Sequence, residues 1–163
     1  MIRTIRVGER VPPVRLGQLQ QGLVTSQSVE TLFQGRRGIV IGVPGAFTPV
    51  CSGTHVPDFV ARAAQLKASG FGFIACMAAN DPWTLDAWAR ELDPKGQLIF
   101  LSDGNLEFAK KTGLVRFDPD HFLGERCRRF MMVLNGAVVE KLSVEPDLAA
   151  LTCTRSADAL LDA

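Results

Sequence analysis

A cysteine at position 51 stands in the part of the sequence best suited to chemistry. The apolar run 39–43 is short and rich in β-branched residues, which predicts a buried strand. Thr48 then predicts a helix N-cap, and Pro49 predicts the first helical residue, where a missing N–H breaks no hydrogen bond. This register places Cys51 in the first helical turn, where unpaired backbone N–H groups and the helix dipole favour a thiolate. The pattern therefore predicts a reactive thiol.

A helix terminus alone stabilises a thiolate too weakly for chemistry at neutral pH. An ordinary cysteine thiol, with a pKa of about 8.5, is only a few per cent ionised at pH 7. Lowering such a pKa to about 6 requires roughly 3.4 kcal/mol, whereas a helix N-terminus typically supplies about 0.3–1 kcal/mol. A cation must contribute the rest, and arginine suits this role because it stays protonated and offers a planar set of donors. Arg129 stands at the head of a predicted strand, 130–134, and Arg128 competes with it for the inward-facing position.

The rest of the chain predicts the elements that would carry these residues. Pro57 should kink the helix that begins at Thr48, because it removes one backbone hydrogen bond. Strand, helix and strand in this order, followed by a closing hairpin at Asn135-Gly136, indicate an α/β fold: a mixed central sheet with helices on both faces. Since neither a repeat nor a linker divides the sequence, residues 1–163 are expected to form one domain. Further strands are predicted at 14–19, 71–77, 98–101 and 137–144, and further helices at 28–34, from the N-cap Asp81, at 105–111 and at 156–161.

The sequence around the cysteine resembles the active-site motif of the peroxiredoxins, thiol peroxidases with the thioredoxin fold. Pro44, Thr48 and Cys51 form the pattern Pro-x3-Thr-x2-Cys, and Arg129 is the distant arginine that accompanies it. The resemblance is to the type-five subgroup, also called atypical two-cysteine or type II, and it covers nearly the whole chain. It implies a thioredoxin-like fold and a peroxidase activity that uses no metal, haem or other cofactor. The similar segments are 42–57, 75–77, 80–81, 129–133, 144–147 and 151–153.

The resemblance implies a role for each residue of the motif. Cys51 would be the peroxidatic thiolate, which attacks a peroxide oxygen and becomes a sulfenic acid. Thr48 would hydrogen-bond to the peroxide and the thiolate, and Arg129 would stabilise the thiolate and the charge on the leaving oxygen. Pro44 would shield the sulfur from bulk water. Val50 stands where many relatives carry a small or polar residue, which predicts an altered pocket mouth without loss of chemistry.

The sulfenic acid requires a second thiol, and the resemblance implies that Cys153 supplies it. Such a disulfide would require the first turn around Cys51 to unwind, and Gly53 weakens that turn. Cys76 is the rival, because some type II relatives place a resolving cysteine at this spacing. Its position in an apolar predicted strand, however, favours a packed and inert thiol.

Two further residues invite a functional interpretation that the sequence does not favour. Cys127 has arginine neighbours that should lower its pKa, and an exposed thiol without function is expected there. His55 stands four residues after Cys51, and we interpret it as a helix-face histidine with an ordinary hydrogen bond, and not as a base or a metal ligand. The four cysteines form no C-x-x-C pair, and two histidines cannot complete a zinc-finger spacing.

Composition limits the partners. With 18 basic and 17 acidic residues the formal charge is +1, which gives no electrostatic reason to expect a nucleic acid or an anionic membrane as a partner. No apolar stretch approaches the length of a membrane span, and the N-terminal residues lack the apolar core of a signal peptide. A cytoplasmic location is therefore expected, with an organellar chain after transit-peptide removal as the alternative.

The resemblance also implies hydroperoxide substrates, a homodimer, and a reductant that is either thioredoxin or glutaredoxin with glutathione. Two other functions stay open. A peroxide sensor would relay oxidation from Cys51 to a partner protein instead of clearing peroxide. A thiol–disulfide oxidoreductase of the same fold is disfavoured because the sequence lacks a C-x-x-C pair.

Overall fold

Strands and helices alternate through most of residues 3–161, which the computed structural model describes. A π-helical turn, Cys51–His55, directly precedes the second α-helix. Within the described residues, no helix is both long and apolar enough to cross a membrane. The elements in chain order are β1 (Arg15–Gln20), β2 (Leu23–Ser28), α1 (Val29–Phe33), β3 (Arg37–Gly42), α2 (Val56–Ala68), β4 (Phe73–Ala78), α3 (Pro82–Leu92), β5 (Ile99–Ser102), α4 (Glu107–Thr112), β6 (Val115–Asp118), β7 (Gly124–Cys127), β8 (Phe130–Asn135), β9 (Val138–Val144) and α5 (Ser156–Leu160).

Seven of these strands form one mixed sheet in the order β2-β1-β5-β4-β3-β8-β9. The central strand β3 runs parallel to β4 and antiparallel to β8, and Gly42 of β3 pairs with Phe130 of β8. A side chain at Gly42 would collide with the Phe130 ring, and one at Gly38 would collide with the Phe73 ring. Glycine at these two positions therefore lets an aromatic ring lie across the backbone of β3 from each neighbouring strand.

The core lies in two layers, one on each face of the sheet. Ile39 and Ile41 of β3 point to the face covered by α2, α3 and α5, whereas Val40 points to the opposite face, covered by α1 and α4. Every residue of β4 is buried, as expected for a central strand with helices on both sides. The predicted mixed sheet with helices on both faces is confirmed.

The predicted elements agree closely with the observed ones, and the two departures have physical reasons. Asp81 caps α3 as predicted, because its carboxylate accepts a hydrogen bond from the N–H of Thr84 at 2.8 Å. The strand β2 was not predicted, since its six residues are polar or exposed and pair only along the edge of the sheet. The separate β6–β7 hairpin was not predicted either, and it bears on the placement of Cys127.

The helix that carries Cys51 is irregular before Pro57. Pro49 and Val50 are helical, and the next five residues form the π-helical turn, in which the N–H of Val56 donates to the Cys51 carbonyl five positions back. Pro57 lies in the first turn of α2, where its missing N–H is tolerated. The sequence predicted a kink caused by Pro57 inside the helix; the structure instead has a π turn at Cys51–His55, and Pro57 lies at the start of α2.

Candidate active site

Cys51 is fully buried in the first turns of the helix that follows β3. The N–H of Ser52 donates to the Thr48 carbonyl at 2.9 Å, so Thr48 occupies the predicted position before the first helical residue. Its hydroxyl, however, donates to the Gly45 carbonyl at 2.7 Å. The predicted hydrogen bond from a first-turn N–H to this hydroxyl does not occur among the described residues. The hydroxyl is turned toward Gly45, where it closes a local turn and keeps lone pairs that can accept a hydrogen bond.

Arg129 reaches Cys51 because of the register of β8 on β3. It lies one residue before Phe130, which pairs with the last residue of β3, so it stands at the end of the sheet where the Cys51 helix begins. Its Nη2 donates to Cys51 Sγ at 3.3 Å and also to the Leu148 carbonyl at 3.0 Å. Arg128 is half-buried and donates to the Glu145 carbonyl instead. Of the two candidate arginines, the structure therefore brings Arg129 to the cysteine.

The surroundings of Arg129 favour an anionic partner. Its side chain is 2% exposed, and among the described residues it forms no ion pair with a carboxylate. Its Nε is buried without a hydrogen-bond partner. A buried cation without a counter-charge is unstable, and the sulfur of Cys51 is a partner of this guanidinium that can carry negative charge.

His55 contacts the other terminal nitrogen of the Arg129 guanidinium. The histidine is fully buried, with Arg129 Nη1 2.8 Å from its Nδ1 and the Thr154 carbonyl 2.9 Å from its Nε2. A guanidinium only donates and a carbonyl only accepts, so His55 must be the neutral tautomer with its proton on Nε2. Burial and the charge of Arg129 lower the pKa of His55 to about 4, which agrees with this assignment. The expected hydrogen-bonding histidine is present, but it is fully buried and its Nδ1 accepts a hydrogen bond from Arg129.

A cavity of about 470 Å³ opens next to this cluster. Its walls are mainly apolar, and its polar side chains include those of Thr48 and Arg129. Pro44 is buried in the wall, whereas Phe47 is 52% exposed at the rim. A molecule in this cavity would meet the arginine that bonds to Cys51. The lining residues are Pro44, Phe47, Thr48, Pro49, Val50, His121, Leu123, Arg129, Leu148 and Ala149.

The other cysteines lie in three different environments, and all four thiols are free. Cys76 is fully buried in β4, as expected, and burial raises its pKa. Cys153 is half-buried in the loop before α5, where burial and the Glu145 carboxylate raise its pKa.

Both expectations for Cys127, an exposed thiol and a lowered pKa, are wrong. It ends β7 inside the core, its Sγ lies 3.0 Å from the Val43 carbonyl, and burial raises its pKa despite the neighbouring arginines.

Comparison with known proteins agrees with this geometry. The chain matches the family model described as Redoxin over residues 6–161. It is 39% identical to Peroxiredoxin-2E, chloroplastic, of Arabidopsis thaliana over 146 residues, which are 87% of this chain and 62% of that protein. The crystal structure of reduced Prx3 from Vibrio vulnificus in complex with H2O2 has a TM-score of 0.91 at 32% identity, covering 98% of this chain and 99% of the other. Peroxiredoxin 5 from Alvinella pompejana has a TM-score of 0.85 at 29% identity, covering 96% of each chain.

The mixed sheet delivers Cys51 to a helix start beside the buried Arg129, which is the arrangement that the resemblance implied. The chain belongs to the peroxiredoxins, within the Redoxin family, and its similarities include type II relatives and a peroxiredoxin 5. The family and the fold predicted from the sequence are both confirmed. The chain spans about three fifths of the length of the chloroplastic relative.

Proposed function

We propose that this chain reduces hydroperoxides with Cys51 as the peroxidatic residue. The observation that carries the proposal is the 3.3 Å contact from Arg129 Nη2 to Cys51 Sγ, made by an arginine without a carboxylate partner among the described residues. The thiolate attacks one peroxide oxygen, an S–O bond forms, and the O–O bond breaks. The leaving oxygen takes up a proton and departs as water or an alcohol, which leaves a sulfenic acid on Cys51.

Three neighbouring residues support this step in the proposed mechanism. The Arg129 guanidinium stabilises the charge on the leaving oxygen. The Thr48 hydroxyl, whose proton is committed to the Gly45 carbonyl, accepts a hydrogen bond from the peroxide O–H. Pro44 is buried in the cavity wall and keeps bulk water from the sulfur.

The cavity supports substrates larger than hydrogen peroxide. Its volume is about 470 Å³, whereas one water molecule occupies about 30 Å³ in the liquid. Its walls are largely apolar, and Phe47 extends them at the rim. We infer that organic hydroperoxides react as well as hydrogen peroxide.

We infer that Cys153 resolves the sulfenic acid. Its thiol is half-buried in a loop, whereas the rival thiol, Cys76, is fully buried within the central strand β4. Cys153 attacks the sulfur of the sulfenic acid, which releases water and forms the disulfide. Cys51 is fully buried in its π-helical turn and Cys153 lies in a separate loop, so we infer that Cys51 leaves the turn to bring the two Cα atoms within the roughly 7 Å that a disulfide allows.

The remaining proposals concern the reductant, the number of domains, the oligomeric state and the location of the protein. Thioredoxin, or glutaredoxin with glutathione, would reduce the disulfide and return both cysteines to thiols. A single domain is supported by one sheet that spans residues 15 to 144 and by Ala159 of α5 in its core. A homodimer and a cytoplasmic location complete the proposal. The relative named above is a chloroplastic protein, so an organellar location is the alternative.

Peptide mass spectrometry after one equivalent of peroxide tests the assignment of the cysteines. A Cys51–Cys153 cross-link is expected in the wild type and in Cys76→Ser, and a sulfenic acid without a cross-link is expected in Cys153→Ser. A Cys51–Cys76 link would transfer the resolving role to the rival, and a glutathione adduct on Cys51 would indicate a one-cysteine cycle.

Stopped-flow kinetics test the activity itself. The wild type should consume peroxide far faster than free cysteine does, and Cys51→Ser should abolish this reaction. Repeated turnover with thioredoxin distinguishes the enzyme from a sensor, which would form a stable mixed disulfide with one partner. Wild-type consumption no faster than that of free cysteine would overturn the proposal.

A further inference from the structure

The Glu145 carboxylate organises the segment that carries Cys153. It accepts hydrogen bonds from the backbone N–H groups of Thr152, Cys153 and Thr154 at 2.7, 2.8 and 3.1 Å. It also accepts from the hydroxyls of Thr152 and Thr154 at 2.8 and 2.9 Å. Glu145 is 1% exposed, and although burial opposes ionisation, these hydrogen bonds lower the pKa of Glu145 to about 2. The carboxylate is therefore charged at neutral pH and is held almost entirely by residues 152–154.

The same segment is connected to the active-site arginine. The Thr154 carbonyl accepts from His55 Nε2 at 2.9 Å, and His55 Nδ1 accepts from Arg129 Nη1 at 2.8 Å. The backbone N–H of Glu145 donates to the Arg129 carbonyl at 2.9 Å. Direct contacts thus run from Glu145 through Thr154 and His55 to the guanidinium that bonds to Cys51.

We propose that Glu145 is a positioning residue that holds residues 152–154 in place and, through Thr154 and His55, fixes the Arg129 guanidinium on the Cys51 sulfur. This inference rests on the proposed function, because it takes Cys153 as the resolving thiol. Movement of Cys153 toward Cys51 carries the adjacent Thr154 carbonyl with it and breaks the bond to His55. The contacts that keep Cys51 reactive therefore also restrain Cys153.

Loss of the carboxylate should act on the two chemical steps in opposite directions. Oxidation of Cys51 slows, because Arg129 loses its support through His55. Disulfide formation accelerates, because residues 152–154 are released and the Cys153 thiol loses the nearby negative charge that disfavours its ionisation. A residue that matters only for folding would slow both steps together, since it would lower the folded fraction.

Glu145→Gln is the direct test, because glutamine keeps the shape of the side chain but loses the charge and one acceptor. Glu140→Gln is the matched control: Glu140 lies on β9 and accepts a hydrogen bond from Arg37 Nε at 2.8 Å, and within the described part of the chain it shares no hydrogen bond or ion pair with residues 152–154. Single-turnover stopped-flow kinetics separate the two steps, and amide hydrogen exchange reports on residues 152–154. For Glu145→Gln we expect about tenfold faster exchange in this segment, about tenfold slower oxidation of Cys51 and roughly threefold faster disulfide formation. Glu140→Gln should match the wild type.

Three results would overturn this proposal. The first is wild-type rates for both steps in Glu145→Gln, and the second is a parallel slowing of both. The third, which needs no variant, is rapid amide exchange of residues 152–154 in the reduced wild type. If Glu145→Gln does not fold, Thr152→Val is the second variant, because it removes only one hydroxyl donor to the carboxylate. It should show the same opposed effects on the two steps, at about threefold. Wild-type rates for both steps in Thr152→Val would count against the proposal. Slow peroxide consumption by the wild type would instead refute the proposed function, so the two failures are distinguishable.

Discussion

Replacement of His55 should change how the stability of this protein depends on pH. In the folded chain His55 is buried and neutral, and burial and the charge of Arg129 lower its pKa from an ordinary value of 6.5 to about 4. In the unfolded chain the imidazole takes up a proton as the pH falls below 6.5. The unfolded state therefore binds more protons than the folded state between pH 6.5 and pH 4, and the free energy of unfolding decreases as the pH falls through this window.

The size of this effect follows from the two pKa values. Proton linkage gives a decrease of about 2 kcal/mol in the free energy of unfolding between pH 7 and pH 5. The decrease approaches about 3 kcal/mol below pH 4, where the folded histidine also becomes protonated. Either value is a large fraction of the roughly 5–15 kcal/mol that stabilises a typical domain.

Urea unfolding of the reduced protein at pH 7 and pH 5 measures this effect. His55→Gln is the appropriate variant, because glutamine is neutral at both pH values and offers one donor and one acceptor toward Thr154 and Arg129. The variant should be less stable at pH 7 but should lose about 2 kcal/mol less than the wild type on acidification to pH 5. Between pH 7 and pH 8 the difference between the two proteins should stay constant, which serves as the internal control. Parallel stability curves from pH 7 to pH 5 would show that His55 is not held neutral, and would refute the hydrogen-bond assignment around Arg129.

Two further predictions concern the chemistry at Cys51. Arg129→Met should slow alkylation of Cys51 by iodoacetamide at pH 7 by about a hundredfold or more, because the buried sulfur loses its cationic donor; Arg128→Met is the matched control, and an equal rate in both variants would contradict the assigned role of Arg129. Gly53→Ala should slow disulfide formation about fivefold and leave oxidation of Cys51 unchanged, because alanine favours the helical turn by about 1 kcal/mol over glycine. A methyl group at position 53 would meet nothing within 4 Å and needs no positive φ, so an unchanged disulfide rate on non-reducing gels after rapid quenching would show that unwinding of this turn does not limit the reaction.

The sequence predicted the parts of the site that depend on local pattern. A buried strand, a proline at the helix start and a cysteine two residues later are neighbours in the chain, so their relative placement follows from secondary structure alone. Alternation at the head of the predicted strand left Arg128 and Arg129 as candidates, and the family resemblance selected Arg129. Its contact with Cys51 nevertheless depends on the pairing of β3 with β8, which joins Gly42 to Phe130 across the fold.

The features that were missed depend on contacts between distant parts of the chain. His55 lies 74 positions from Arg129 and 99 from Thr154, and no local pattern indicates that it joins them. Cys127 was expected to be exposed because arginines flank it, but the unpredicted hairpin β6–β7 turns its sulfur into the core. The capping preference of Thr48 predicted that its hydroxyl accepts a hydrogen bond from a first-turn N–H. It did not indicate that the single hydroxyl proton is donated to the Gly45 carbonyl.

The crossing of the Phe130 ring over Gly42 has an evolutionary consequence. Arg129 is followed directly by Phe130, whose ring packs over the backbone of β3 at Gly42. This packing is possible because position 42 carries no side chain. A larger residue at 42 would be tolerated only together with a smaller one at 130. Substitutions at these two positions should therefore covary among descendants of this sequence, although neither residue participates in the reaction.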